Sequence, residues 1–352
     1  MPSTSPTSTS TPSPAPSRRR LGRSSVVAVA LASGAALLGA CTSDGGSGGR
    51  SGAAPADATT AAARPADRPR VGVILGGGGE TGIAWQTAVL SALADDARLT
   101  RDSVDVVVGT SAGAIAGAYF SSVPDLGPVV EELRKGGGIS APAPQSTGTG
   151  NPIPADVLAA LGSTEGTVEE RSKRIGALAI RARTAVSSDQ LVNVIGSGLP
   201  DRKWPALDFR ATSVHAETGE TVLWKKSDGV PLAAAVASSA AVPGYLPAVK
   251  IKGQHYTDAP RTSFSVRLVR EKKLDAVVYI GMPTPNLSNT IEEDALTRLE
   301  GEGLKAVRIT GGKGSDRLID EALDPEVKPL AVEIGLRDGA DAAPDVAAVL
   351  KN

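Results

Sequence analysis

The sequence predicts an α/β fold with a mainly parallel sheet flanked by helices. Three observations predict it. Val71-Gly72-Val73-Ile74-Leu75 is a short, uncharged, β-prone run, and Val106-Val107-Val108 after Asp105 is another. Strands buried on both faces are continuous apolar runs of this kind. Each run leads through glycine into an apolar stretch at helical spacing. Strand, glycine turn and helix thus occur twice in succession, which argues for parallel strands with helices on the sheet faces.

The elements follow in order. Residues 71–75 are the first strand, and residues 83–93 suit a helix with Ile83, Ala84, Val89, Leu90 and Leu93 on its apolar positions. Residues 105–108 are the second strand, and residues 112–120 a helix of small side chains able to pack closely on a sheet. Residues 136–154 form a Gly/Pro/Ser/Thr loop. Helices are expected over 167–182 and 188–195, the latter capped by Ser187 or Ser188. Strands at 209–216 and 221–224 flank the turn Glu217-Thr218-Gly219-Glu220. Residues 232–241 make a helix stopped by Pro243-Gly244. Residues 248–251 and 255–257 flank Lys252-Gly253-Gln254. Later strands fall at 276–280 and 306–309, with helices at 289–301 and 325–336. There is no internal repeat.

The 352 residues allow one large domain or two ordinary ones, and a formal net charge of -1 gives no basic field for nucleic acid. Residues 1–17 are almost entirely Ser, Thr and Pro, a composition that buries no core. Arg18, Arg19, Arg20 and Arg23 then precede an uncharged run over 26–40, the layout of a secretory signal. That run is too short for a membrane span, which needs about 20 apolar residues. It ends in Leu38-Gly39-Ala40-Cys41, which resembles a bacterial lipoprotein box with Cys41, the only cysteine, as the lipidated residue. Ser17-Arg18-Arg19-Arg20-Leu21 also resembles a twin-arginine export signal. Residues 42–69, rich in Gly, Ala, Ser and Pro, are expected to be a tether, and residues 70–352 the catalytic domain.

Gly109-Thr110-Ser111-Ala112-Gly113 fits a nucleophile elbow. The serine stands on a tight strand-to-helix turn, and the two glycines remove Cβ atoms that would clash there. The helix that follows brings its positive end to a developing oxyanion. Gly77-Gly78-Gly79-Glu80-Thr81-Gly82 admits two functions. It matches a dinucleotide fingerprint, and it also suits an oxyanion hole built of backbone N–H groups. A dinucleotide site wants an acid at the end of the next strand, about 20 residues on. Here that strand ends in Gly109-Thr110-Ser111, which favours the oxyanion function. A serine nucleophile needs a base, and the chain has only His215 and His255. A triad in the usual order would require Asp201, Asp208 or Asp228 before a final histidine. Asp258, just beyond a strand, is the alternative, since an aspartate can take the serine proton directly.

Together these residues resemble the patatin-like phospholipase family over about four-fifths of the chain, from Arg70 to Leu350. The resemblance implies a three-layer α/β/α domain and a Ser–Asp dyad without histidine. Ser111 is the implied nucleophile and Asp258 the proton acceptor. Gly77, Gly78, Gly79 and Ala112 are the implied oxyanion donors, and Gly82, Gly109 and Gly113 are motif glycines. Gly82-Ile83-Ala84-Trp85, Ala216-Glu217-Thr218-Gly219 and Ala241-Val242-Pro243-Gly244 are also family-like. Two positions depart from the pattern. Thr81 stands where Arg or Lys is usual, and Asp258 is followed by Ala259 and Pro260 rather than two small flexible residues. Pro260 fixes its own φ and pushes Ala259 toward extended backbone.

The expected function is therefore serine acyl hydrolysis of lipid esters, by a protein anchored through Cys41 on the outer face of a bacterial membrane. No cofactor or metal is called for, and no metal-ligand cluster stands out. The partners are an ester substrate and the membrane surface. Two alternatives stay open: a catalytically impaired pseudoenzyme that binds lipid, and a nucleotide-binding α/β protein. Head group, chain length and oligomeric state leave no mark on the sequence.

Overall fold

The buried apolar runs become the middle of one twisted sheet. A computed structural model describes residues 68–140, 153–258, 262–282 and 287–351. Residues 62–352 form one unit, to which all described residues belong. The expected export segment, Cys41 and most of the expected tether lie outside the described residues, as do Ala259 and Pro260.

The strands are β1 (Val71–Leu75), β2 (Val106–Gly109), β3 (Asp208–His215), β4 (Thr221–Trp224), β5 (Val249–Ile251), β6 (Gln254–Thr257), β7 (Ala276–Ile280) and β8 (Lys305–Ile309). The helices are α1 (Gly79–Asp96), α2 (Ala112–Ser122), α3 (Gly127–Arg134), α4 (Ala155–Gly162), α5 (Val168–Arg181), α6 (Ser188–Gly198), α7 (Leu232–Ala240), α8 (Ser265–Lys272), α9 (Leu287–Gly301), α10 (Ser315–Asp320) and α11 (Lys328–Lys351). The sheet order is β5-β6-β3-β2-β1-β7-β8, with β4 paired to β3. The pairs β3–β2, β2–β1, β1–β7 and β7–β8 are parallel, while β3–β4, β3–β6 and β5–β6 are antiparallel. The fold is thus the predicted α/β class, mostly parallel and flanked by helices.

Both faces of the sheet are buried, which is why β1 and β2 carry no polar alternation. Val71, Val73 and Leu75 of β1 join a core with α1, α2, α7 and α11. Ile74 points the other way, into a second core with Leu268 of α8 and Leu296 and Leu299 of α9. Parallel strands place all their C-terminal ends on one side, and the helices that follow β1 and β2 begin there.

Several boundaries differ from expectation for physical reasons. α1 starts at Gly79 rather than Ile83, because Gly79 and Gly82 lie inside its first turn. α11 continues to Lys351, past Gly335, Gly339 and Pro344, where sequence had stopped it at Leu336. The helices α3, α4, α8 and α10 were not anticipated. α5 and α6 open on capping boxes, Thr167 with Glu170 and Ser187 with Gln190. Among the described residues no helix is long and apolar enough to cross a membrane.

Candidate active site

Ser111 caps α2 directly after β2 with φ 56° and ψ -120°. Positive φ is strained for a residue with a Cβ, and such strain gathers at functional turns. Two close approaches force this turn. A Cβ on Gly109 would stand 2.2 Å from the Gly113 carbonyl oxygen, and one on Gly113 would stand 2.5 Å from that of Leu75. The elbow is therefore pressed against the end of β1. Gly113 N–H donates to the carbonyls of Gly76 (3.1 Å) and Thr110 (2.8 Å), joining elbow to glycine loop.

The loop runs from Gly76 to Gly79, between β1 and α1. Its shape is set by partners far away in sequence. Asn289 at the start of α9 is buried; its Oδ1 accepts from Gly77 N–H at 3.1 Å, and its Nδ2 donates to the carbonyls of Met282 (2.8 Å) and Gly77 (3.3 Å). Gln86 Nε2 donates to the Gly76 carbonyl at 2.8 Å. Gly79 takes φ 64°, and a Cβ there would stand 2.3 Å from the Ala322 carbonyl oxygen, so only glycine fits. Thr81, at the position that departs from the family pattern, is bound into this frame: its Oγ1 donates to the Leu318 carbonyl at 2.7 Å.

Of the four amides expected to face an oxyanion, Gly77 N–H is thus occupied by Asn289. Among the described residues no protein acceptor takes the N–H of Gly78, Gly79 or Ala112. Ser111 N–H donates to Ser239 Oγ of α7 at 2.9 Å.

Ser111, Ala112, Gly79 and Glu80 line one narrow pocket of about 40 Å³. Its other walls are almost wholly apolar, with Ile83, Ile115, Leu191 and Leu246 among them. Tyr245 also faces it; burial, then the charge of Glu80, pushes its phenol above the usual range. Among the described residues no group of His, Cys, Asp and Glu is arranged to hold a metal ion.

Asp258 is buried at the end of β6. Its N–H donates to the Ala241 carbonyl at 3.0 Å, and Thr257 Oγ1 donates to the same oxygen at 2.6 Å. The C-terminal end of α7 therefore holds both residues: Ser239 binds Ser111, and Ala241 binds Asp258. The other aspartates weighed as triad acids are engaged elsewhere. Asp208 pairs with Arg210 and Lys272, Asp228 accepts from Lys225 N–H, and Asp201 accepts from Lys203 N–H. Both histidines turn toward Glu217, His255 Nδ1 at 2.7 Å and His215 Nδ1 at 3.3 Å.

Sequence missed Asn289, Ser239 and Lys328, the last buried against Glu80. Only α7's run of small residues with two adjacent serines gave any hint, since such a helix can approach an elbow closely.

No curated protein matches the chain significantly in sequence. Among solved structures it is similar to VipD from Legionella pneumophila (10% identity, TM-score 0.37, 80% of this chain and 67% of that one). It is also similar to the type III effector ExoU (15%, 0.35, 79% and 54%) and to human GIVD cytosolic phospholipase A2 (12%, 0.42, 80% and 59%). The chain thus spans between about half and two-thirds of these proteins, and likenesses so distant carry no functional argument. The family model described as patatin-like phospholipase matches residues 73–137, the stretch from β1 through the glycine loop and elbow to α3. Over that segment, about a fifth of its length, the chain is similar to the patatin-like phospholipase family.

Proposed function

We propose that this protein is a serine acyl hydrolase that cleaves lipid esters, with Ser111 as nucleophile and Asp258 as base. The observation that carries the proposal is one arrangement. Ser111 stands on a positive-φ turn at a helix N-terminus, beside amides with no protein acceptor, at the wall of an apolar pocket. The family match supports a lipid hydrolase-like function of the same kind.

In this mechanism Ser111 Oγ attacks the ester carbonyl carbon while its proton passes to the Asp258 carboxylate. The carbonyl oxygen becomes an oxyanion held by the N–H groups of Gly78, Gly79 and Ala112, with the α2 N-terminus adding favourable potential. Collapse breaks the bond to the alcohol, which leaves with the proton from Asp258. Water then attacks the acyl-enzyme, giving its proton to Asp258, and Ser111 regains a proton as the carboxylic acid leaves. The apolar lining favours an acyl chain over a polar group, and the narrow pocket must widen to admit one.

Asn289 Oδ1 weighs against nucleotide binding. It puts an acceptor on the very amide a pyrophosphate oxygen would need. Export and lipid attachment at Cys41 belong to the same proposal and rest on sequence alone; the anchor would raise the effective concentration of membrane lipid near the site.

The test is labelling with a fluorophosphonate, which esterifies an activated serine. Wild type labels and hydrolyses p-nitrophenyl esters, while Ser111→Ala and Asp258→Asn do neither. No labelling of folded wild type, or labelling that survives Ser111→Ala, overturns the proposal. For the anchor, Cys41→Ser moves the protein from membrane to soluble fractions; unchanged fractionation rejects it.

A further inference from the structure

Glu80 follows the glycine loop and is the only carboxylate lining the pocket among the described residues. Its partner is Lys328, the first residue of α11. Lys328 Nζ lies 2.8 Å from Glu80 Oε2, with the lysine side chain 0% and the glutamate 5% exposed. The same ammonium donates to the carbonyls of Ile139 (3.0 Å) and Gly137 (3.4 Å) and to Ser140 Oγ. Ile139 itself lines the pocket. One buried cation thus ties the first turn of α1, the wall at 137–140 and the start of α11.

The neighbouring stretch grips the loop as well. Leu318 and Ala322 accept from Thr81 Oγ1 and Thr81 N–H, and the Ala322 carbonyl fills the space where a side chain on Gly79 would be. A buried ion pair is a poor way to gain stability, because desolvation offsets most of the attraction. Apolar residues of equal volume would hold the helices together as well. What an ammonium adds is direction: its three donors fix Gly137, Ile139 and Ser140, while its charge holds the Glu80 carboxylate against it.

We propose that Lys328 is a positioning residue for hydrolysis: through Glu80 and the carbonyls at 137 and 139 it sets the Gly78 and Gly79 amides and the pocket wall against Ser111. This rests on the hydrolase function proposed above. The residue lies nearly two hundred positions beyond the segment that matches the family model.

The test compares full-length wild type, Lys328→Met and Glu80→Gln. Active sites are counted by fluorophosphonate titration, and kcat and KM for a short-chain p-nitrophenyl ester are expressed per titrated site. A positioning role lowers kcat per site at least tenfold in both variants and leaves KM within about twofold. A purely structural role lowers the fraction of active sites and leaves kcat per site unchanged, and that result overturns the proposal. Hydrogen exchange gives a readout independent of activity. The Thr81 and Gly82 amides, bonded to the carbonyls of Ala322 and Gly78, exchange at least tenfold faster in Lys328→Met while β1 amides hold. Unchanged exchange refutes the positioning. If wild type neither labels nor turns over, the hydrolase function is what fails, and exchange alone then decides the role of Lys328. If Lys328→Met does not fold, the isosteric Glu80→Gln carries both comparisons.

Discussion

Gly113→Ala sets two rules of protein stability against each other. Gly113 lies in the first turn of α2, where alanine is favoured over glycine by about 0.5–1 kcal/mol. Propensity alone predicts a more stable protein. The structure predicts the reverse. The new Cβ would stand 2.5 Å from the Leu75 carbonyl oxygen and 2.6 Å from the Leu75 carbonyl carbon. Non-bonded carbon contacts need about 3.5 Å, so α2 must retreat from β1 by roughly 1 Å. Overpacking a tight site costs about 1–3 kcal/mol, and backbone atoms cannot rotate aside, which puts this case at the upper end. Less the propensity gain, the net loss is about 2 kcal/mol, or roughly 4 °C in Tm for a domain of this size. The retreat also stretches the Gly113 bonds to Gly76 and Thr110 and moves Ser111 away from the loop amides. Misplacement by about 1 Å can cost about 100-fold in rate. The assay is the second-order rate constant for fluorophosphonate labelling, with thermal unfolding on the same samples. A variant that gains Tm and labels within threefold of wild type would refute the claim that the elbow is held by contact with β1.

Three further outcomes follow from the same geometry. Ser111→Gly removes the strain of a non-glycine residue at φ 56°, about 1–3 kcal/mol, against about 1 kcal/mol of added chain entropy; calorimetry should show a higher Tm in a protein with no esterase activity, and a lower Tm contradicts the strain. Asn289→Ala strands the buried Gly77 N–H and Met282 carbonyl, costing about 2–4 kcal/mol in denaturant titration and lowering kcat more than it raises KM; loss of stability with kcat intact would separate Asn289 from the oxyanion loop. Glu292 of α9 accepts from Phe264 N–H, Ser265 N–H and the hydroxyls of Ser263 and Ser265, and burial raises its pKa above 4.5. The folded state therefore binds this proton more tightly than the unfolded state, so the contribution to stability is full below 4.5 and is lost as pH rises through the raised value; Glu292→Gln should flatten that slope, and an unchanged pH profile of unfolding would show that another group sets it.

Much of this site was legible because its constraints are local. Residues 106–108 announce a strand buried on both faces, and Gly109 and Gly113 flag the elbow because only glycine survives a 2.2–2.5 Å approach of backbone. The same residue type misled at α11. Gly335 and Gly339 look like helix breakers, yet they are contact points: a Cβ on Gly335 would stand 2.4 Å from the Trp85 carbonyl oxygen, and one on Gly339 2.7 Å from that of Val89. They let α11 lie close along α1, and Trp85 Nε1 donates to Asp338 at 2.9 Å across the contact. The start of α1 differs for a related reason: Gly79 and Gly82, a residue type of low helix propensity, lie in its first turn. Asn289, Ser239 and Lys328 left no local trace. Each acts through an atom that meets the loop or elbow only after the chain has folded back, and periodicity and spacing hold no information about such meetings.

The segment that matches the family model holds the proposed nucleophile and the glycine loop, but not what keeps them in register. Ser111 N–H needs Ser239, Gly77 N–H needs Asn289, and α1 begins where Leu318, Ala322 and Lys328 hold it. The end of α7 matters most, because it reaches both candidate catalytic residues. Ser239 Oγ meets Ser111, and two residues later the Ala241 carbonyl takes both Thr257 Oγ1 and Asp258 N–H. The backbone of Asp258 is therefore fixed from its N-terminal side, before residue 259 is reached. Whatever Ala259 and Pro260 impose, they act on the carboxylate through ψ of Asp258 and its side-chain rotamer, not through the position of its Cα. On this account the distance from the proposed nucleophile to the proposed base is set mainly by a helix end, and a flexible pair at 259 and 260 should change activity less than loosening the Ser239–Ala241 turn.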